Sequence, residues 1–252
     1  MPDARSPGPW RQVPRLPAAR LGAAVVHELV ELIVTGAIEE GALLPPEGPL
    51  CEHFGVSRTV LRESIKRLEE KGLVVVTQGR GTQVTRSGSW NMLDDVVLSV
   101  LIDNDDSLGV LDELTVVRGK LEASMAGAVA SRRTKAELGR VERALSTMRE
   151  AHQDSDTSRQ ADAVFHFTIM ELSRNRLAEN IAKQLYRKAL GNARYSGLAH
   201  AGAFELSLRE HELVVEAIGV RDVEAAEDAM WNHIVNSWER RRLPSRRTVP
   251  RG

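Results

Sequence analysis

A single cysteine, 4% aromatic residues and the absence of any long apolar run set the first limits on this 252-residue chain. Cys51 alone excludes an internal disulfide framework and a multi-cysteine metal site, and fits a reducing compartment. Few aromatics beside plentiful Leu, Val and Ala favour packed helices over a β-sandwich. No stretch approaches the roughly 18–20 apolar residues of a membrane span. The N-terminal MPDARSPGPWRQVPRLP has basic residues but no apolar core, so no secretory signal is expected there. The expectation is a soluble, cytoplasmic protein without internal repeats, long enough for two modest domains.

What is present is unevenly distributed. The net charge of −1 conceals a division: residues 1–90 carry 11 basic and 10 acidic groups, residues 91–239 carry 17 and 25, and residues 240–252 carry six arginines and no acid. Residues 56–90 alone hold 7 basic against 3 acidic groups. A positive patch confined to one short element is what attraction to a phosphate backbone requires, and an acidic second domain would stay off the nucleic acid.

That basic stretch lies within residues 43–85, LLPPEGPLCEHFGVSRTVLRESIKRLEEKGLVVVTQGRGTQVT. It reads as a short helix, a turn at Gly55-Val56, a second helix capped by Ser57, and a two-stranded hairpin. At about 100° per residue, Leu61, Ile65 and Leu68 share one sector of the second helix, while Arg58, Thr59, Arg62 and Lys66 share another. Gly72 suits the helix C-terminus, Val74-Val75-Val76 a strand, and Gly79-Arg80-Gly81 the hairpin tip. An amphipathic helix with an ordinary solvated face would explain the helix alone. The glycine-flanked Arg80 directly after it points to nucleic acid, in the layout of a winged helix-turn-helix whose basic helix enters a major groove.

The motifs LPPE, GVSRTVLRESIKRLEEKGLV and GRGTQV closely resemble the DNA-binding domain of GntR-family transcription regulators, over roughly residues 20–86. The resemblance implies recognition-helix contacts at Arg58, Thr59 and Arg62, with Ser57 and Lys66 on the same DNA-facing helix. It also implies a wing tip at Arg80 and Gly81 that enters the minor groove. The family usually carries an arginine directly after the motif's glutamate; this chain has Gly48 there.

In chain order, residues 1–17 contain five prolines and read as a disordered arm. Residues 18–86 form the expected winged domain, beginning with an amphipathic helix over 18–35. A polar linker follows at 87–91, then a helical domain over 92–240 and a basic tail over 241–252. Within the helical domain the pattern predicts helices at 91–102, 107–132, 134–152, 159–173, 176–199, 204–219 and 222–241, with a polar loop at 154–158. Thr134 and Glu137 form a capping-box signature for the third of these. Short connections imply antiparallel neighbours, so the fold class is mainly α: a winged helix-turn-helix plus an antiparallel helical bundle.

Three of the seven histidines sit oddly for surface residues. Asp162 and His166 are four apart on one helical face; His211 interrupts an apolar stripe containing Leu208, Val214 and Ile218; His233 shares its face with Ala226, Ala229 and Met230. Each histidine alone reads as a core residue bonded to a neighbour. Three inward imidazoles and a carboxylate together make a site for a divalent ion, with zinc, nickel or manganese as the options. His27, His53, His152 and His200 read as surface residues.

The helical half resembles the FCD effector domain of the FadR branch of GntR regulators, over most of 92–240. The D-x3-H pair followed by two more histidines is similar to its metal-binding members. That resemblance implies metal ligation by Asp162, His166, His211 and His233, beside a cavity for a small carboxylate. Arg118 lies on the inward stripe of its helix, where a guanidinium forms a natural carboxylate fork, and the family's effector-binding arginine falls there. Glu122, one turn on, offers the rival account of an internal ion pair.

Taken together, these residues predict a ligand-responsive transcription regulator, a repressor of a carbon-catabolism operon. It would act as a homodimer on a palindromic double-stranded DNA operator, with a small carboxylate or sugar acid as effector. The segment WNMLD followed by Val96-Val97-Leu98 is similar to members that control sugar-acid breakdown. Two alternatives stand beside this: a metal-dependent hydrolase, and a constitutive DNA-binding protein whose metal site is purely structural. No HExxH-type base accompanies the ligands, and an enzyme has no use for the basic helix and wing.

Overall fold

The structure, a computed structural model, describes residues 18–151, 155–191 and 202–242. It is mainly helical, with ten α-helices and one two-stranded sheet among the described residues. The chain divides into two compact units, Met1–Val100 and Leu101–Gly252. The arm at 1–17, the tail from 243, His152 and His200 lie outside the described residues.

The first unit contains α1 (Ala18–Val34), α2 (Glu47–Phe54), α3 (Arg58–Glu70), β1 (Val74–Thr77) and β2 (Gly81–Val84). Its core gathers Val26, Leu29 and Ile33 of α1, Leu61 and Leu68 of α3, and Leu73, Val74 and Val84 of the hairpin, all buried. Ser57 caps α3, its hydroxyl accepting from the Val60 amide, as expected of an N-cap serine. The strands pair antiparallel with Val74 opposite Val84 and Thr77 opposite Gly81. Residues 41–44 back this hairpin: Gly41 N donates to Val84 O, Leu44 N to Thr82 O, and Val84 N to Ala42 O. After β2 the chain folds onto the end of α3. Thr85 donates its hydroxyl to the Gly72 carbonyl, Asn91 N donates to Lys71 O, and Lys71 pairs with Asp94. A 3-10 turn occupies Ser87–Ser89, and α4 (Asp95–Asp103) carries the chain across the division between the units.

The second unit contains α5 (Gly109–Arg132), α6 (Lys135–Glu150), α7 (Ser155–Leu172), α8 (Arg176–Gly191), α9 (Ala203–Val220) and α10 (Val223–Arg242). Helix α5 is the centre, packed along α10 and against α7, α8 and α9. Gly119 permits the closest approach: a Cβ there would stand 2.8 Å from the Trp231 ring. Val129, Val141, Leu145, Phe165, Ile169, Val214, Ile218 and Ile234 fill one continuous core. The Thr134–Glu137 capping box forms in full. Three helix starts differ by two or more residues from the sequence pattern. Helix α4 begins at Asp95 rather than 91, because the Asp94 carboxylate accepts from Val96 N and Val97 N and caps its first turn. Helix α5 begins at Gly109 rather than 107, because the Asp105 carboxylate accepts from Ser107 N and Val110 N and holds the preceding turn. Helix α7 already includes Ser155, within the stretch expected to loop, since polar residues suit a first helical turn. Helix α10 runs to Arg242, so Arg241 and Arg242 are helical.

Candidate functional site

The first candidate surface is the exposed side of α3. Arg58, Thr59, Arg62 and Lys66 are all exposed there, while Leu61, Ser64 and Leu68 are buried on the opposite side. Arg62 is held by Glu47: its Nε and Nη2 donate to the two carboxylate oxygens at 2.8 and 3.0 Å. This bidentate hydrogen bond lowers the Glu47 pKa and raises that of Arg62. Arg80 is exposed in the turn of the hairpin, where its amide donates to Thr77 O, and Gly81 begins β2 with φ 97°. Gly48 lies in the first turn of α2, and a side chain there would meet nothing within 4 Å.

The second candidate lies inside the bundle. Helix α7 supplies Asp162 and His166, α9 supplies His211 and α10 supplies His233. The three histidines are 1, 0 and 3% exposed. His166 Nε2 stands 3.4 Å from His211 Nε2 and 3.2 Å from His233 Nε2, and Asp162 Oδ1 lies 3.4 Å from His211 Nε2. The other nitrogen of each ring meets an acceptor. His166 Nδ1 lies 2.5 Å from Glu122 Oε2, His211 Nδ1 2.7 Å from Ser207 O, and His233 Nδ1 3.1 Å from Glu210 Oε2.

These contacts determine what the centre can hold. A neutral imidazole has one N–H. With each Nδ1 donating outward, three Nε2 lone pairs and a carboxylate face one another with no donor between them. A cation resolves that arrangement. Tetrahedral ligands at metal–nitrogen distances of about 2.0–2.1 Å stand about 3.3–3.4 Å apart, close to the three spacings given above, while the four donor atoms as a set lie within 4.8 Å of one another. The donor set of imidazole nitrogen and carboxylate oxygen suits zinc, nickel or manganese.

Burial keeps His211 neutral, with a pKa well below 6.5, and His233 is lowered for the same reason. Burial opposes the Glu122 anion, yet Arg118 and His166 outweigh it and hold the carboxyl at about 2. Asp162, only partly buried, is likewise held ionised, facing the imidazoles and accepting from the Tyr186 hydroxyl. Glu210 is held at about 2, where the Arg240 and His233 hydrogen bonds outweigh its desolvation.

Asp162, His166 and His233 open on a small cavity whose walls also include Arg118, Tyr186, Ser237 and Arg241. Arg118 is 3% exposed, donates from Nε to Glu122 at 2.6 Å and lies over the Tyr186 ring. The Arg118–Glu122 pair anticipated as a rival to ligand binding is therefore present, and Arg118 also faces the cavity.

Residues 21–84 match the family described as bacterial regulatory proteins, gntR family, and residues 113–236 match the FCD domain. The chain is 30% identical over 218 residues to the galactonate operon transcriptional repressor of Escherichia coli K12, spanning 86% of this chain and 94% of that one. The chain belongs to the GntR family. It is a DNA-binding transcription regulator of the branch with an FCD domain, so the hydrolase alternative lapses. The regulator LutR of Bacillus subtilis is 28% identical over 209 residues, covering 81% of this GntR-family chain and 94% of LutR. A solved structure titled for Lar, which controls the Listeria monocytogenes agr system, has a TM-score of 0.56 at 16% identity. It covers 88% of this chain and 96% of that one, and attests the fold alone.

The structure brings Asp162, His166, His211 and His233 to one point and Arg118 to the adjoining wall. Around them stand residues that the sequence pattern does not assign to the site: Glu210, Tyr186, Ser237 and Arg241. Tyr186 carried a signal, a tyrosine on the buried stripe of α8 with Ala182, Leu185 and Ala189. Ser237, four residues after His233, shares its helical face, whereas Glu210 carried no signal, being an ordinary polar residue on an amphipathic helix.

Proposed function

We propose that this regulator is a ligand-responsive repressor of a carbon-catabolism operon, sensing a small hydroxy acid through a metal ion held by Asp162, His166, His211 and His233. The observation that carries the reading is the convergence of three imidazole Nε2 atoms and a carboxylate beside a cavity that also holds Arg118. When bound, the metal would supply a Lewis-acidic anchor for the effector carboxylate. Arg118 answers negative charge in the cavity, and Tyr186 fixes the Asp162 carboxylate.

Relatives supply the chemical class. One is named for the galactonate operon, and a relative 28% identical over 222 residues is named as a putative regulator of the L-lactate dehydrogenase operon. Galactonate and lactate share an α-hydroxycarboxylate, whose oxygens would reach the ion only by expanding its coordination beyond the four protein ligands.

Output runs through Arg58, Thr59, Arg62 and Lys66 on α3, with Ser57 at its first amides and Arg80-Gly81 at the wing tip. A homodimer presents two such helices to a palindromic operator in the cytoplasm, as helix-turn-helix dimers do. Val116 and Val117, each about half exposed on α5, are apolar surface available to a second copy. The effector acts through its differential affinity for two arrangements of the DNA-binding domains.

The test combines thermal unfolding with a DNA mobility shift on the protein's own promoter. A metal-loaded sample at 100 times Kd of effector gains about 2.7 kcal/mol and releases DNA. The metal-free sample does neither. No thermal response to any hydroxy acid by the metal-loaded protein would overturn the reading.

A further inference from the structure

A second cavity, of about 400 Å³, lies in the helical unit and shares no lining residue with the first. One wall is α5, where Ser124, Ala128 and Arg132 recur every four residues and so lie on one face. The other wall is the corner between α7 and α8, residues 173–176. Hydrogen bonds fix that corner. Buried Ser173 donates its hydroxyl to Met170 O and accepts from Asn175 N, and the Asn175 side chain caps α8 by accepting from Ala178 N.

Three arginines, Arg132, Arg174 and Arg176, line this cavity, and no acidic residue does. Arg174 gives one nitrogen to Glu137 at 2.9 Å. The side chains of Arg132 and Arg176, both exposed, have no hydrogen bond or ion pair among the described residues. Elsewhere in this unit arginines are answered by carboxylates, as Arg140 is by Glu171, Arg149 by Glu212 and Arg240 by Glu210. Like charges gathered around one cavity repel unless an anion enters it. Residues 91–239 otherwise carry 17 basic against 25 acidic groups, a field that repels a DNA backbone while the local arginines admit a compact anion.

We infer that this cavity is a binding site for a phosphate group, free or carried on a small metabolite, separate from the histidine cluster. Guanidinium forks match phosphate oxygens in paired hydrogen bonds, and Ser124 and Asn175 add neutral donors. The volume falls within the about 300–1,000 Å³ of small-molecule sites, which leaves space for a sugar beside the phosphate.

The experiment is calorimetric titration of the full chain with inorganic phosphate, glucose 6-phosphate and glucose, in a buffer free of other multivalent anions. It is run on zinc-loaded protein and again after chelation. Both phosphates are expected to bind, with the same affinity in the two preparations, and glucose is not. Tighter binding of the ester would support a phosphorylated metabolite, and equal binding free phosphate. Arg132→Met and Arg176→Met should each weaken binding at least about tenfold, the loss expected for a charge-assisted hydrogen bond. Both variants should keep the wild-type unfolding temperature, since neither side chain supports another group. Arg209→Met, at an exposed position of α9 outside the cavity, should change nothing. Absence of binding by both phosphates would overturn the inference, as would binding abolished by chelation. Affinity unmoved in both cavity variants, or equally reduced in Arg209→Met, would overturn it too.

Discussion

Glu122 Oε2 lies 2.5 Å from Nδ1 of His166, and the same carboxylate accepts from Arg118 through its other oxygen. The contact sets the tautomer of His166 and aims its Nε2 at the centre of the cluster. Such outer carboxylates contribute about 10–100-fold to metal affinity. Glu122→Gln is expected to weaken metal binding by that factor, read by competition with a chromophoric chelator. It also leaves the Arg118 side chain, 4% exposed, without its anion, at a cost of about 3–5 kcal/mol in unfolding free energy. The double variant Arg118→Met/Glu122→Gln should regain stability without regaining metal affinity. An unchanged metal Kd in the single variant would assign Glu122 to Arg118 alone.

The exposed basic face of α3 and the inward cluster of histidines were legible in sequence for the same reason: both rest on the local period of a helix. Arg58, Thr59, Arg62 and Lys66 separate from Leu61 and Leu68 by arithmetic, and His166, His211 and His233 fall on apolar stripes likewise. What surrounds those residues was not legible. Glu122 meets His166 from 44 positions away, Glu210 meets His233 from 23, and Arg240 meets Glu210 from 30. No periodicity within one helix encodes such a meeting; it depends on how α5, α7, α9 and α10 rotate against one another. Arg118 illustrates the limit, since an inward arginine with a glutamate one turn on reads equally as a ligand fork or an internal pair. Arg241, read from sequence as the start of a basic tail, acquires its place only because α10 extends to Arg242.

Gly48 provides a gain-of-function test at the DNA surface. Its position is open, so an arginine fits without displacing any neighbour. Gly48→Arg should tighten operator binding and steepen the dependence of log K on log salt by about one phosphate contact, a slope change of about 0.9. Arg58→Ala should flatten the slope by a similar amount or abolish binding. Gel-shift titrations at several salt concentrations measure both. Equal slopes in wild type and both variants would place DNA elsewhere.

Acid dependence can be read at the start of α6. The Glu137 carboxylate accepts from the Thr134 amide and from Arg174, and these hydrogen bonds hold its pKa at about 2. A depressed carboxyl stabilises the fold fully above its unfolded value of about 4.3, and that contribution disappears as pH falls through the folded value. Glu137→Gln should therefore unfold at lower temperature than wild type at pH 7. The gap should narrow as pH falls from about 4.3 toward 2. Thermal scans across that range check it, and a gap independent of pH would mean that the ionised carboxylate contributes nothing beyond the amide.

Gly72 separates two costs that usually arrive together. Its φ is +77°, and a Cβ there would stand 2.2 Å from the Ser89 carbonyl oxygen, a backbone atom that cannot swing aside. Gly36 has nearly the same backbone, φ +75°, but nothing within 4 Å. Gly36→Ala thus reports the left-handed conformation alone, about 1–2 kcal/mol. Gly72→Ala adds the collision, and relieving it must push residues 89–91 off the end of α3, breaking the Asn91 N to Lys71 O bond and loosening the Lys71–Asp94 pair. The expected result is a loss clearly exceeding that of Gly36→Ala in denaturant titrations, accompanied by faster amide exchange at Asn91 and along α4. Equal losses for the two variants would show that this junction yields freely.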